Sequence, residues 1–166
     1  HGNVTAATAN QLPGHVHVSS LVLDVEHEKA ALTDGNHAVG GVCVFEGLVR
    51  DFSGHASDSL TLEHYPGMTE KSLESIRQEA GKRWQLHGLT ILHRVGKMHP
   101  GDKIVAVIAC SRHRQNAFDA CAFAMDYLKT EAPFWKLEDD GKGEANWVDA
   151  RDSDHSARNR WQSKET

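Results

Sequence analysis

Apolar and polar positions alternate with different periods along this chain, and each change of period marks an element. Val16, Val18, Leu21 and Leu23 predict a strand over 15–23. Asp24 to Leu32 is rich in helix formers and stops at Asp34-Gly35, which predicts a helix. The Val, Gly and Phe of 37–49 predict a buried strand that other backbone approaches closely. A polar loop from Arg50 to Ser59 follows, expected to be mobile, with Phe52 its one large apolar side chain. Leu60 to Tyr65 alternates as a strand, and Pro66-Gly67 turns the chain. From Met68 to Trp84 the apolar residues Met68, Leu73, Ile76, Ala80 and Trp84 recur at helical spacing. Glu70, Lys71, Glu74, Arg77, Glu79 and Lys82 cover the rest of that helix and read as its solvated surface.

Leu89 to Val95 predicts a further strand, and Pro100-Gly101-Asp102 a turn. Lys103 to Ala109 is almost continuously apolar, so both faces of that strand should be covered. The stretch after Ser111 returns to helical spacing, with Phe118, Cys121, Ala122, Met125 and Leu128 in one stripe and Lys129 in the last turn. Pro133 stops this helix and pushes Ala132 toward extended geometry. Phe134 to Glu138 reads as a short strand with Phe134, Lys136 and Glu138 on one face. Trp135 and Leu137 lie on the other, which reads as the core face. Gly141 to Gly143 turns the chain into a last strand over 146–150. The sum is an α+β fold, a mostly antiparallel sheet with two long helices. A flexible N-terminus (1–14), one domain (15–151) and a polar C-terminal tail (152–166) are expected, with Trp161 the tail's only large apolar anchor.

Composition narrows the function. A chain of 166 residues with 39% hydrophobic content can bury one real core. A net charge of −5 gives no reason to expect nucleic acid as a partner. No apolar run approaches the roughly 20 residues of a membrane span. The start of the chain lacks a signal-peptide pattern, so a cytoplasmic location is expected. Cys43, Cys110 and Cys121 are odd in number and irregularly spaced, which fits a reducing compartment and buried, unpaired thiols. Twelve histidines occur without Cys-x-x-Cys or His-Glu-x-x-His; His15 and His17 form a weak pair at best, and no metal is expected.

The candidate chemistry lies in Arg50, His113, Arg114, Lys129 and Lys136. Arg50 begins a loop where a strand ends. Ser111 can cap the following helix, with His113 and Arg114 in its first turn. Free N–H groups there attract anions, whereas cations oppose the helix dipole, so an anionic ligand would account for both. A merely solvated first turn is the other reading. Lys129 is what the dipole selects at a helix C-terminus in any case. Lys136, between Trp135 and Leu137, is either on an exposed edge or lowered in pKa by partial burial. These residues alone give an α+β domain with an anion pocket.

Six motifs, in order, go further: Phe45-Glu46-Gly47-Leu48-Val49-Arg50; Leu62 to Met68 (LEHYPGM); His93-Arg94-Val95-Gly96 with Pro100-Gly101-Asp102; Ser111-x-His113-Arg114-x-x-Ala117-Phe118; Met125 to Lys129 (MDYLK); and Pro133-Phe134-Trp135-Lys136-x-Glu138 leading to Trp147-Val148. In these the chain resembles the large, catalytic subunit of molybdopterin synthase. The resemblance implies an α/β-hammerhead fold joined to an α+β part, and a sulfurtransferase of molybdenum cofactor biosynthesis. Its substrate would be cyclic pyranopterin monophosphate, converted to molybdopterin by two dithiolene sulfurs. The donor would be the C-terminal Gly-Gly thiocarboxylate of a small ubiquitin-like subunit, with two large subunits forming a homodimer inside a heterotetramer. No metal or organic cofactor is implied. Lys129 and Lys136 would be catalytic. Phe45, Leu48, Val49, Arg50, His113, Arg114, Met125, Leu137, Glu138 and Arg151 would bind substrate. Leu48 stands where some relatives have a basic residue, so only its backbone is expected to contribute. A thiocarboxylate is already a nucleophile; the enzyme must stabilise developing oxyanions and move protons, which lysines in a pocket can do. The alternatives are a non-catalytic pterin- or nucleotide-binding scaffold and a thiol enzyme acting through Cys43, Cys110 or Cys121.

Overall fold

A computed structural model describes residues 11–55, 57–143, 145–148 and 157–162. The strands are β1 (Val16–Ser19), β2 (Gly41–Leu48), β3 (Ser59–His64), β4 (Gly88–Arg94), β5 (Gly96–Met98), β6 (Lys103–Ser111), β7 (Phe134–Asp139) and β8 (Ala145–Val148). Among the described residues the longer helices are α1 (Val25–Thr33), α2 (Met68–Arg83) and α3 (Arg114–Glu131). They build an α+β fold of two four-stranded sheets, β1-β4-β6-β2 and β5-β3-β7-β8. The β1–β4 pair is parallel and the other pairings are antiparallel.

Local chemistry sets the helix ends. Asp24 caps α1 by accepting from the His27 N–H at 3.1 Å. Gly67, at φ 84°, turns the chain into α2 and donates its N–H to the Glu70 carboxylate at 3.0 Å. Pro133 follows α3 as expected.

The first sheet is covered on both sides. Leu89 and Ile91 of β4 and Val105, Val107 and Ala109 of β6 face α2 and α3. Leu92, Ala106, Ile108 and Cys110 pack on the other side against Leu32 of α1 with Leu23 and Val25. Two covered faces are why β6 reads as a continuous apolar run. The α3 side is lined by Ala117, Ala120 and Ala124, whose small side chains let the helix lie close to the strands. Phe123 fills the gap with edge-on contacts to Trp84 and Trp161. Trp161 is buried and its Nε1–H donates to the Asp126 carboxylate at 2.6 Å, so residues 157–162 lie against α3.

Four expectations change. β2 is an edge strand: Val42 and Val44 are exposed on it because the α1 cluster covers β4 and β6 and stops there, and Phe45, on the opposite face, and Leu48 are exposed as well. Phe118 is 52% exposed; the buried stripe of α3 runs through the alanines instead. β5 pairs with β3 although its three residues carry no apolar period. Arg77 is buried within α2 and not solvated. Its guanidinium donates to the carbonyls of Leu12 (3.1 Å), Pro13 (3.2 Å) and Leu89, and to Glu74 (3.0 Å), so it pins residues 12 and 13 onto β4. The sheet also has a parallel pair because this pinned segment leads straight into β1 beside β4.

Candidate active site

The two sheets meet at the end of β4. His93 lies one position from that end, on the face of Ile91 and Val105, and is 5% exposed. Its ring stacks on Phe134 of β7 with centroids 4.0 Å apart at 24°. Its Nδ1 lies 3.0 Å from the Arg94 carbonyl oxygen, which fixes Nδ1 as the protonated nitrogen of the neutral ring.

Register decides where Lys136 faces. In β3–β7, Lys136 lies opposite Leu62, Glu138 opposite Leu60 and Trp135 opposite Glu63. Opposed residues share a face. Leu62 and Leu60 are buried in a core cluster with Val49 and Met98, and Phe134 packs against that cluster. Phe134, Lys136 and Glu138 are therefore on the inner face. Trp135 and Leu137 are on the outer one, where Trp135 packs on the half-exposed Tyr65 ring at 4.4 Å. This reverses the expected faces. Opposite Leu62, a lysine can bury its aliphatic stem on an apolar face and keep its charge in a polar environment.

Lys129 comes to the same place from another element. It sits in the last turn of α3, one turn beyond Met125, which is partly buried against the main core. Burial is the chief reason that His93 is held down to a pKa of about 3, and the Lys129, Lys136 and His64 charges each push the same way, against the Arg94 carbonyl contact. Two lysines, from a helix and from a strand of the other sheet, thus act electrostatically on one buried neutral imidazole.

Arg50 belongs to this end of the molecule. Leu48 lies opposite Lys103 at the start of β6, and α3 runs back along β6 to bring Lys129 to that end. Val49 is buried and donates its N–H to the Asp102 carbonyl at 2.8 Å, while its own carbonyl accepts from Gly101 at 2.7 Å. Val49 is thus an anchor that sets where exposed Arg50 emerges. The loop after it is polar and exposed, but Asp58 is buried beneath it. The Asp58 carboxylate accepts from the N–H groups of Phe52 and Ser53, both at 2.9 Å, and from the Ser53 hydroxyl. Burial alone would raise its pKa; these donors and His55 outweigh it and hold the carboxyl below its ordinary value. The Ser57 hydroxyl ties the loop to the Asp140 carbonyl at 2.7 Å, beyond the end of β7.

His113 and Arg114 lie elsewhere. Gly41 pairs with Ser111 at the opposite end of β2; a side chain at Gly40 would strike the Arg112 carbonyl, and one at Gly41 would lie tight against the Arg114 backbone. Ser111 does not cap α3. Its hydroxyl donates to the His113 carbonyl, His113 itself is the N-cap residue, and no side chain caps the first turn. Arg114 opens α3 and Lys129 lies in its last turn, so at about 1.5 Å per residue they are about 22 Å apart. One chain therefore gathers Lys129, Lys136, Glu138, Met125 and Arg50 toward one end and places His113 and Arg114 at the other. Phe45 is half-exposed along β2 between them, Leu48 is exposed, Leu137 is on the outer face of β7, and Arg151 lies outside the described residues.

Sequence reasoning passed over His93 and Asp58. A histidine inside an apolar strand and an aspartate just before one were the available signals. Burial pushes the Cys121 thiol up to about 12 and raises Cys110 as well, which suits neither to nucleophilic work. Among the described residues no group of three or more His, Cys, Asp or Glu could hold a metal ion, and no helix is long and apolar enough to cross a membrane.

The MoaE protein family matches residues 18–131. The molybdopterin synthase catalytic subunit of Pseudomonas aeruginosa is 51% identical over 148 residues, which cover 89% of this chain and 98% of that one. The solved structure of molybdopterin cofactor biosynthesis protein E from Burkholderia multivorans matches with a TM-score of 0.77 at 48% identity, over 90% of this chain and 97% of that chain. The crystal structure of molybdopterin synthase from Staphylococcus aureus matches with a TM-score of 0.71 at 28% identity, over 79% and 94%. The family match over residues 18–131 and the identity of half the aligned residues to an enzyme subunit lead to one conclusion: the chain belongs to the MoaE family, the catalytic subunits of molybdopterin synthase.

Proposed function

We propose that this chain converts cyclic pyranopterin monophosphate to molybdopterin with Lys129 and Lys136 as its catalytic residues. The sulfur donor is the C-terminal thiocarboxylate of a small Gly-Gly-ended partner subunit. The observation that carries the reading is that Lys129, in the last turn of α3, and Lys136, on the inner face of β7 beside Phe134, come from the two elements that meet at buried His93. A thiocarboxylate sulfur attacks a carbon of the substrate without help from an enzyme thiol and displaces a substrate oxygen, which leaves with a proton. Water then cleaves the resulting thioester, leaving the sulfur on the substrate and a carboxylate on the partner's tail, and a second thiocarboxylate repeats the step for the second sulfur. Negative charge then develops on oxygen, at the acyl carbon and at the departing group. Two ammonium groups beside a low-dielectric wall stabilise that charge, and either can give up a proton to a leaving oxygen. Arg50, at the same end, meets the anionic part of the substrate or the partner's tail. Buried Cys110 and Cys121 favour this over thiol catalysis, and three unpaired cysteines fit a cytoplasmic protein.

His113 and Arg114 enter through a second copy of the chain. They stand beside an uncapped helix N-terminus, a combination that suits a phosphate. At about 22 Å from Lys129 along α3 they cannot serve the same small substrate within one chain. A homodimer in which the α3 start of one copy meets the α3 end of the other makes one complete site from two chains, twice. The exposed apolar side chains of edge strand β2, Val42, Val44, Phe45 and Leu48, give such a pairing its contact surface. A small subunit on each large subunit completes a heterotetramer. The test is reconstitution with thiocarboxylated small subunit and precursor. Dithiolene formed by the wild type, and lost in Lys136→Ala while the complex still assembles, supports the reading; precursor binding with no dithiolene from the wild type would leave a pterin-binding scaffold.

A further inference from the structure

We propose that His93 is a positioning residue for the lysine pair, holding Lys136 in place relative to Lys129 through its stack on Phe134 and presenting an uncharged polar edge to both. The inference rests on the catalytic reading of those lysines, and its grounds are geometric. Lys129 is carried by α3, which packs on the first sheet; Lys136 is carried by β7 of the second sheet. The spacing between them is therefore set by how one sheet docks on the other. His93 is at that joint. It belongs to β4 of the first sheet, is 5% exposed, and lies 4.0 Å from the Phe134 ring of the second. Phe134 and Lys136 are alternate residues on one face of β7, so a shift of the ring is passed to the lysine two positions along.

The choice of imidazole follows from its neighbours. Lys129 from α3, Lys136 from β7 and His64 from β3 all bear on it, and Arg94 contributes its carbonyl from β4 itself. A lysine or arginine here would add a third fixed cation to a buried joint. Phenylalanine would keep the stack but face two ammonium groups with no lone pair. A neutral histidine whose Nδ1–H is spent on the Arg94 carbonyl keeps the stack, adds no charge and leaves Nε2 as an acceptor.

His93→Phe and His93→Gln separate the two parts of the role, the first keeping the stack and the second the polarity. The direct readout is the titration of the Lys129 and Lys136 side chains, followed by 13Cε chemical shift in the assembled complex. It does not depend on sulfur transfer. The proposal expects His93→Phe to move at least one lysine titration by about 0.5 unit or more, given the size of pKa changes caused by nearby polar groups. In His93→Gln the lysine titrations stay closer to wild type. Both variants lose about tenfold to a hundredfold in single-turnover rate, the scale of a reacting group displaced by about 1 Å. His93→Phe also shifts the pH–rate profile. Wild-type lysine titrations in His93→Phe overturn the proposal, as does a rate loss that only follows lost stability with the pH profile unmoved. If one variant fails to fold, the other is read by the same criteria; if both fail, His93 is a core residue and the proposal is overturned. A Lys136→Ala protein of normal rate would end the catalytic reading and still leave the lysine titrations to decide this one.

Discussion

The two ends of α3 give a prediction that needs two differently altered chains. Arg114→Ala removes a cation from the helix start and Lys136→Ala removes one from the other end of the fold. With Arg114 and Lys129 about 22 Å apart along the helix, no small substrate touches both ends within one chain. Each altered homodimer carries the same defect in both sites. Loss of one charge-assisted contact, worth about 1.5–3 kcal/mol, lowers kcat/KM of the Arg114→Ala dimer about tenfold to a hundredfold. The Lys136→Ala dimer falls at least as far. In a hybrid dimer of the two chains, shared sites segregate the damage: one site carries both substitutions and the other carries neither. Such a hybrid should therefore show about half the wild-type activity, a consequence of two-fold symmetry. The assay is co-expression with two affinity tags, purification through both, and turnover at subsaturating precursor with saturating small subunit. Activity no higher than the mean of the two altered homodimers would refute the shared site, because sites contained within single chains leave every site of the hybrid defective.

Three further outcomes follow from single positions. Arg77→Met strands the carbonyls of Leu12, Pro13 and Leu89, and breaking a buried charged network typically costs about 3–5 kcal/mol; urea denaturation should show that loss, and a change within about 0.5 kcal/mol would contradict the clamp. His93, held down from 6.5 to about 3 in the folded protein, binds its proton more readily when unfolded, so it contributes stability at neutral pH that is lost as pH falls from 6.5 toward 3. Over that window the stability of His93→Phe should fall less steeply than that of wild type, by up to about 1.4 kcal/mol per pH unit, and parallel curves would contradict the burial of a neutral imidazole. Arg50→Ala should weaken precursor binding by roughly tenfold or more by calorimetry, and unchanged affinity would remove Arg50 from the site.

Much of this architecture was legible because it is local. Helix α3 announces itself by spacing and by Pro133, α2 by its period and its Gly67 start, and β6 by an apolar run that only a sheet covered on both faces tolerates. What was not legible depends on pairing between distant segments. Gly96 to Met98 carries no pattern of its own; it is a strand because Leu60 to Leu62 lies beside it. The faces of β7 were misassigned because both carry a large ring, and only the register opposite Leu62 shows that Phe134 faces inward with Lys136. Arg77 read as solvated because its helical position is flanked by charges, while its partners are main-chain carbonyls 12 or more residues away in sequence. The catalytic candidates were visible through their motifs, yet the motifs do not say which residues share a chain's own pocket. The length of α3 does.

The central claim is that Lys136 acts on the reacting atoms. The most direct measurement is single-turnover sulfur transfer by Lys136→Ala, with thiocarboxylated small subunit bound at wild-type affinity and precursor in excess. The account predicts a rate lowered by about a hundredfold or more, the scale of a lost proton-transfer group, with only partial recovery in Lys136→Arg, which keeps the charge and loses the proton donor. A Lys136→Ala complex that makes the dithiolene at the wild-type rate would contradict it.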